Sequence, residues 1–309
     1  MKILVAGELN VDLVLYNYRS FPQPGREVLV NDVSLTLGSA SAICAAGLAT
    51  LGDCVAFVGK LGCDPWGDLV LDTMEKLGID VSGIVRDPAT KTGITVSITS
   101  PADRALVTYL GSIAALRAAD IPDSALPGCR HLHVSSFFLQ EGLRPGLKSL
   151  LARAHRAGLT TSIDPGCDPA GEWGRDLVDA LAETDIFLPN EVELEAITGH
   201  RDRIQALRSL ENGRMRIVAK LGAEGCLTLE NGGPLHVPAF PVTPIDTTGA
   251  GDSFNAGFLH AWLEGRGIAE CMRFAGACGA LSTQKLGGVA SQPTEAEARA
   301  FLHSQEVTS

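Results

Sequence analysis

The sequence is poor in aromatic residues and in basic charge. Aromatic residues make up 5% of its 309 residues, and 25 Lys and Arg stand against 36 Asp and Glu, for a formal net charge of −11. A protein that binds nucleic acid needs a broad basic surface to neutralise phosphates, so nucleic acid is not expected as a partner. A local phosphate site remains open to the chain, because helix N-termini bind anions through backbone N–H groups.

The sequence also lacks a long apolar run and a paired-cysteine motif. The first apolar run, residues 3–6, is followed at once by Glu8, which indicates a first β-strand rather than a signal peptide. We therefore expect a cytoplasmic protein with no membrane partner. Because no CxxC pair occurs, we predict that the cysteines are reduced thiols buried in the core: Cys44, Cys54, Cys63, Cys129, Cys167, Cys226, Cys271 and Cys278.

Two common phosphate-binding motifs are absent as well. The chain contains no GxxxxGK[ST] run and no GxGxxG turn. A P-loop and a dinucleotide-binding turn of the usual kind are therefore excluded. Any phosphate site must be built from another glycine-rich turn.

The chain does contain a regular alternation of strand-like and helix-like segments. Short apolar runs such as residues 160–164 and 186–188 alternate with helical stretches such as residues 145–157 and 191–198. This alternation predicts an α/β fold with a central, mostly parallel sheet covered by helices on both faces.

Two segments near the start of the chain do not fit that sheet. Residues 13–33 are extended and turn-rich, with a strand-like stretch at 28–30. Residues 92–112 alternate apolar and polar side chains and contain a turn at 101–104, which is typical of a hairpin. We expect both segments to contribute strands to a small β-sheet lid, within a single domain of residues 1–309.

A glycine-rich turn precedes a helical stretch near the end of the chain. It reads Asp246-Thr247-Thr248-Gly249-Ala250-Gly251-Asp252. Glycines at a helix N-terminus let backbone N–H groups approach a ligand closely, and the helix dipole adds about half a positive charge, so the turn suits a phosphate. Asp252 could then touch a substrate hydroxyl. The alternative is that Asp252 is only the N-cap of the helix.

This run, with Ser253 and Phe254 after it, resembles the C-terminal signature of the PfkB or ribokinase family of carbohydrate kinases. The resemblance extends more loosely over residues 1–294. It implies a ribokinase-like three-layer α/β/α fold with a small β-sheet lid. It also implies that Asp252 is the catalytic base, and that the backbone of Gly249, Ala250 and Gly251 forms the anion hole for the transferred phosphoryl group.

Other positions match the acceptor side of this family. Asn10 and Asp12 lie in a segment similar to the family's opening strand, where these positions bind sugar hydroxyls, and Gly38 and Ser39 correspond to a Gly-Gly pair. Alternate residues of an extended segment project the same way, which suits bidentate binding of a polyol. The alternative for Asp12 is a turn cap. The chain departs from the family at Ile43, where an asparagine that contacts the sugar is frequent.

The nucleotide side is matched by two further groups of residues. Asn190 and Glu193 fit the family's NxxE pattern, which is associated with magnesium and phosphate handling, but they also have the spacing of a helix capping box. Lys220, Gly222 and Gly225 follow a predicted strand and resemble the nucleotide-side loop, although a plain hairpin would look the same.

A third group matches positions that line a monovalent cation site in similar kinases: Asp246, Thr248 and Gly288. Taken together, the resemblance implies ATP-dependent phosphorylation of a small sugar or sugar acid, with ATP and Mg²⁺ as cofactors and K⁺ as a candidate activator. A nucleoside kinase on the same fold and a non-catalytic sugar-binding protein are the alternatives. Pairing of lid strands makes a homodimer a further expectation.

Overall fold

The chain alternates strands and helices, and the computed structural model describes residues 2–18, 20–99 and 104–307. The strands are β1 (Lys2–Ala6), β2 (Asn10–Tyr16), β3 (Asp32–Leu37), β4 (Cys54–Gly62), β5 (Asp80–Asp87), β6 (Gly93–Thr99), β7 (Arg104–Tyr109), β8 (Cys129–Val134), β9 (Thr160–Ile163), β10 (Ile186–Phe187), β11 (Arg216–Ile217), β12 (Ala219–Lys220), β13 (Cys226–Glu230) and β14 (Gly233–Val237). The helices are α1 (Ala40–Thr50), α2 (Pro65–Lys76), α3 (Arg144–Arg156), α4 (Arg175–Leu181), α5 (Glu191–Thr198), α6 (Arg203–Ser209), α7 (Ala250–Leu263), α8 (Ile268–Ser282) and α9 (Glu295–Val307). Within the described part of the chain, no helix combines the length and the apolar character needed to cross a bilayer.

The central sheet has seven strands in the order β11-β10-β9-β8-β1-β4-β5. All of its pairings are parallel. Alternate residues of β1 are buried on opposite faces, because side chains along a strand point alternately to either side. Ile3 and Val5 join the core beneath α1, α7 and α8, whereas Leu4 and Ala6 join the core beneath α3 and α4. The predicted three-layer α/β/α architecture is confirmed.

A separate four-stranded sheet, in the order β3-β2-β6-β7, forms the predicted small β layer. β2 pairs in parallel with β6, and the other two pairings are antiparallel. The hairpin predicted within residues 92–112 is therefore confirmed as β6 and β7. Residues 101–103 of its predicted turn lie outside the described residues.

The strand predicted at residues 28–30 is wrong. β2 ends at Tyr16, and the register pairs Tyr16 with Asp32, the first residue of β3. Residues 28–30 therefore have no described strand beside them, and Leu29 is exposed. The first contribution to the small sheet runs over β2 and β3 up to Leu37, rather than over residues 13–33.

The prediction of core thiols holds for only half of the cysteines. All eight are free. Cys44, Cys226, Cys271 and Cys278 are buried, and Cys129 is half-buried. Three others are exposed because of their places in the chain: Cys54 begins β4, Cys63 follows it, and Cys167 lies in the loop after β9.

Candidate active site

The glycine turn before α7 is the centre of the site. Gly249 is the N-cap residue of α7 and has a φ of 74°, a left-handed conformation that favours glycine. The N–H of Ser253 donates to the carbonyl of Gly249 at 2.8 Å, which closes the first helical turn. Asp252 is the third residue of the helix, so its interpretation as the N-cap is wrong. The first turn of α7 leaves backbone N–H groups directed out of the helix end, where an anion can bind.

A second segment of the chain braces this turn. Oδ1 of Asp246 accepts a hydrogen bond from the N–H of Thr248 at 2.9 Å, and its Oδ2 accepts one from the N–H of Gly287 at 2.8 Å. A Cβ built on Gly249 would lie 3.0 Å from the carbonyl oxygen of Gly288. The three residues predicted for a monovalent cation are therefore close neighbours, around the buried carboxylate of Asp246.

On the acceptor side, the start of β2 presents a row of polar side chains. Nδ2 of Asn10 donates to Oδ1 of Asp12 at 2.9 Å and to Oγ1 of Thr95 at 3.2 Å. Oγ1 of Thr95 lies 3.1 Å from Oγ1 of Thr108. A Cβ on Gly38 would lie 2.1 Å from Oδ1 of Asp12, so a glycine is required for the carboxylate to lie against this backbone. Asn10, Asp12 and Gly38 are thus brought together, as predicted.

Ser39, also predicted on the acceptor side, makes two hydrogen bonds within the fold. Its Oγ accepts a hydrogen bond from the N–H of Ala42 at 3.1 Å and donates to the carbonyl of Glu8 at 2.6 Å, so it caps α1. The carboxylate of Glu8 accepts from both the N–H and the hydroxyl of Ser41. Burial raises the pKa of Glu8 above its usual value. The hydroxyl of Ser39 therefore serves the fold around the acceptor side.

A cleft of about 500 Å³ lies beside the first turn of α7. Its lining includes apolar side chains: Val237, Phe240, Val242, Phe254 and Met272. The lining also includes Lys220, Gly222, Gly225, Ala250 and Gly251. The predicted nucleotide-side loop and two residues of the predicted anion hole therefore line the same cleft.

Two residues that no sequence motif indicated hold Lys220 in this cleft. Its Nζ donates to Oδ2 of Asp164 at 2.6 Å and to Oδ1 of Asn255 at 3.3 Å. Burial lowers the pKa of Lys220, but the charges of Asp164, Glu193 and Asp252 outweigh this effect and raise it. Asp164 directly follows β9 at the carboxyl edge of the parallel sheet, and that position was the signal that could have identified it.

Asn190 and Glu193 form a capping box at the start of α5. Oδ1 of Asn190 accepts from the N–H of Glu193 at 2.9 Å, and Oε2 of Glu193 accepts from the N–H of Asn190 at 2.7 Å. Burial, together with the charge of Asp164, raises the pKa of Glu193 to about 7. The capping interpretation is correct, and Oε1 of Glu193 is not used by the box.

The chain is similar in sequence and in fold to known proteins. The sequence model described as "pfkB family carbohydrate kinase" matches residues 1–295. The chain is 31% identical over 306 residues to an ATP-dependent ribose-1-phosphate kinase from Halopiger xanaduensis, covering 98% of both proteins. It is 28% identical over 309 residues to a ribokinase from Haemophilus influenzae, covering 97% of this chain and 98% of that protein. The structure of Arabidopsis thaliana ribokinase complexed with ribose and ATP shares the fold, with a TM-score of 0.84, 24% identity, and coverage of 97% of this chain and 98% of that chain.

Proposed function

Because this chain belongs to the pfkB family of carbohydrate kinases, we propose that it transfers the γ-phosphoryl group of ATP to a hydroxyl of a small sugar or sugar acid. The comparisons support an ATP-dependent kinase of sugars or nucleosides. Residues 1–309 then act as one kinase domain, to which the four-stranded sheet contributes the lid. Because the chain belongs to a kinase family, the alternative of a non-catalytic sugar-binding protein is not retained.

Asp252 is the base in this proposal. The acceptor hydroxyl lies between Asp12 and Asp252, and its oxygen forms a bond to the γ-phosphorus while the bond from that phosphorus to the bridging oxygen of ADP breaks. The hydroxyl proton passes to Asp252. A carboxylate is a weak base for an alcohol, but a loose phosphoryl-transfer transition state requires little early deprotonation, so orientation and late proton capture are sufficient.

The first turn of α7 supplies the anion hole. Backbone N–H groups of Gly249, Ala250 and Gly251 surround the transferred group, and the helix dipole favours its negative charge. This role of Asp252 and of the helix turn is supported by one observation. Ala250 and Gly251 line the cleft, and Asp252 follows them directly on the same helical turn.

ATP occupies the cleft, with its base against the apolar side chains of the lining and its phosphates toward Lys220, Gly222 and Gly225. Mg²⁺ would neutralise charge on the β- and γ-phosphates. Asn190 and Glu193 would hold it in this proposal, because carboxylate and amide oxygens suit this cation and Oε1 of Glu193 is not used by the capping box.

We also propose a monovalent cation beside the anion hole. The carboxylate of Asp246 supplies a charge, and the carbonyl of Gly288 faces the Gly249 turn. Such oxygen donors suit K⁺ better than they suit a transition metal. Asp246, Thr248 and Gly288 would hold the cation and neutralise charge next to the turn.

The test is an acceptor screen. ATP consumption is measured over a panel of sugars, sugar acids, sugar phosphates and nucleosides, each in the presence of Mg²⁺ with K⁺ or Na⁺. We expect turnover with a sugar or sugar acid, and none in the absence of an acceptor. No turnover with any alcohol would overturn the proposed function.

A nucleoside acceptor is the second candidate. Ile43 stands at the position of the asparagine that contacts the sugar in related kinases, and its side chain is buried against Gly288 and Gly249. An isoleucine at this position cannot make the polar contact to a sugar, so a nucleoside remains a candidate acceptor. Turnover with nucleosides alone in the screen would select this candidate.

We also propose that two copies pair through the four-stranded sheet. The register places an almost wholly apolar set of side chains on one face, here called the apolar lid face: Val11, Leu13, Leu15, Val33, Leu35, Leu37, Ile94, Val96, Ile98, Ala105, Val107 and Tyr109. Val11 and Leu37 are buried in the core, whereas Val33, Leu35, Val107 and Tyr109 are exposed. A contiguous apolar patch of this kind is typical of an interface, and a second copy offers a self-complementary surface about a two-fold axis.

A further inference from the structure

Lys220 lies where the nucleotide cleft meets the first turn of α7. Its side chain lines the cleft beside Ala250 and Gly251. A Cβ built on Gly251 would lie 3.6 Å from Nζ of Lys220. Among the described residues that line the cleft, Lys220 carries the positive charge. An anion bound on the first turn of α7 would therefore lie beside this ammonium group.

Asp164 and Asn255 fix the direction of the ammonium group. Nζ of Lys220 donates to both, at 2.6 Å and 3.3 Å, and Nδ2 of Asn255 donates to the same Oδ2 of Asp164 at 2.5 Å. The three side chains form a closed triangle in which Lys220 is 13% and Asp164 is 7% exposed. An ammonium group has three donors, so this triangle uses two of them.

The triangle is attached to the proposed base through α7. Asn255 lies three residues after Asp252, and residues with this spacing share one face of a helix. Asp164 comes from the carboxyl end of β9, which belongs to the rigid central sheet. The position of Lys220 is therefore set by the same helix that carries Asp252 and by the sheet behind it.

The negative charges of Asp164, Glu193 and Asp252 all interact with the ammonium group of Lys220. A polyphosphate that entered the cleft without Lys220 would approach three carboxylates, and their repulsion would oppose binding of the transition state. One fixed cation at this point offsets part of that repulsion where the negative charge is greatest.

Resting on the proposed function, we propose that Lys220 contacts the phosphoryl group during transfer, and that Asp164 and Asn255 are positioning residues that aim it. The third donor of Lys220 binds a non-bridging oxygen of the γ-phosphoryl group as the bond to ADP breaks and the bond to the acceptor oxygen forms. Lys220 gives up no proton, since the hydroxyl proton passes to Asp252. It acts with the backbone N–H groups of α7 as the second side of the anion hole.

The test uses the full chain and the best acceptor from the screen. Lys220→Met, Lys220→Arg, Asp164→Asn, Asn255→Ala and the double variant Lys220→Met with Asp164→Asn are compared for kcat, KM for ATP, ADP affinity and Tm. Lys220→Met is expected to lower kcat by about 10²- to 10³-fold, the usual effect of removing one donor from an anion hole. Its ADP affinity is expected to change far less, and Lys220→Arg is expected to regain part of the loss.

The double variant separates positioning from structure. If Asp164 acts through Lys220, removing both costs no more in kcat than Lys220→Met alone, because residues that act as a unit are not additive. The double variant also leaves no unpaired buried lysine, so it remains informative if Asp164→Asn alone folds poorly. Asn255→Ala is expected to lower kcat with little change in KM for ATP.

Lys60→Met is the matched control. Nζ of Lys60 pairs with Asp120 at 2.8 Å and Lys60 is 15% exposed, close to the values for Lys220, but it does not line the cleft. It is expected to keep the wild-type kcat. Wild-type kcat in Lys220→Met, or losses that multiply in the double variant, would overturn the proposal. Absence of ATP-dependent transfer by the wild-type chain would instead overturn the proposed function.

Discussion

A Cβ built on Gly249 would lie 2.7 Å from the Cα of Gly288. The two glycines pack backbone against backbone, and the same Cβ would lie 3.0 Å from a side-chain carbon of Ile43. The turn that begins α7 is therefore fixed from outside as well as by its own left-handed conformation. This brace holds the proposed anion hole in one geometry.

Substituting Gly249 by Ala is expected to lower both stability and activity. The left-handed conformation alone costs a residue with a side chain about 1–2 kcal/mol, and the contact with Gly288 adds to this cost. The matched variant is Gly251→Ala, whose Cβ would have Nζ of Lys220 as its nearest neighbour at 3.6 Å. We expect Gly251→Ala to keep the wild-type Tm but lose activity. Thermal unfolding and kcat are measured for both variants. Equal Tm values would show that the close packing of Gly249 on Gly288 does not restrict residue 249 to glycine.

Substituting Val107 by Glu is expected to convert a dimer into monomers. Val107 is exposed on the apolar lid face, where a buried charge would cost more than the contact contributes. Leu106 is its neighbour on the same strand, is also exposed and belongs to the opposite face, so Leu106→Glu is the control. Sedimentation velocity of the three proteins measures the outcome. A monomeric wild type, or a dimeric Val107→Glu variant, rules out this interface.

His260 is expected to make stability depend on pH. Burial lowers the pKa of His260, but its hydrogen bond to Asp53 and the charges of Asp53, Glu264 and Glu295 outweigh burial and raise it above 6.5. Arg266 also faces this group and contacts both glutamates. The charged imidazole therefore stabilises the fold fully below the unfolded pKa of 6.5, and this stabilisation is lost as pH rises through the higher folded pKa.

The measurement is the difference in Tm between the wild type and His260→Gln from about pH 6 to about pH 9. Each unit by which the folded pKa exceeds the unfolded one corresponds to about 1.4 kcal/mol. We expect the largest difference at the acidic end and a narrowing difference at higher pH. A difference that stays constant over this range would show that the charge on His260 does not contribute.

Features that depend on neighbouring residues could be predicted from the sequence. The turn from Asp246 to Asp252 and the capping box of Asn190 and Glu193 are each contiguous in the chain. The alternation of apolar and polar residues located β6 and β7, because the period of a strand is two. The parallel sheet followed from the order of strands and helices.

Contacts between residues that are far apart in the chain could not be predicted. Asp164 and Lys220 are 56 residues apart, and Asp164 and Asn255 are 91 apart. Asp164 follows β9 of the parallel sheet, Lys220 ends β12 of a separate three-stranded sheet, and Asn255 lies on α7. No local pattern encodes which residues of such separate elements meet. The strand expected at residues 28–30 was wrong for a related reason, since local β-propensity forms a strand only where a partner lies alongside.

In the proposed mechanism, the carboxylate of Asp252 receives the acceptor proton while the first turn of α7 holds the phosphoryl group. The most direct test is the kcat of Asp252→Asn with saturating ATP and acceptor, because this substitution keeps the shape of the side chain and removes its basicity. We expect kcat to fall by about 10²- to 10⁴-fold, the usual contribution of a general base, with the binding of acceptor and ADP retained. Asp123→Asn, at an exposed aspartate, serves as the control. A kcat for Asp252→Asn equal to that of the control would rule out Asp252 as the base.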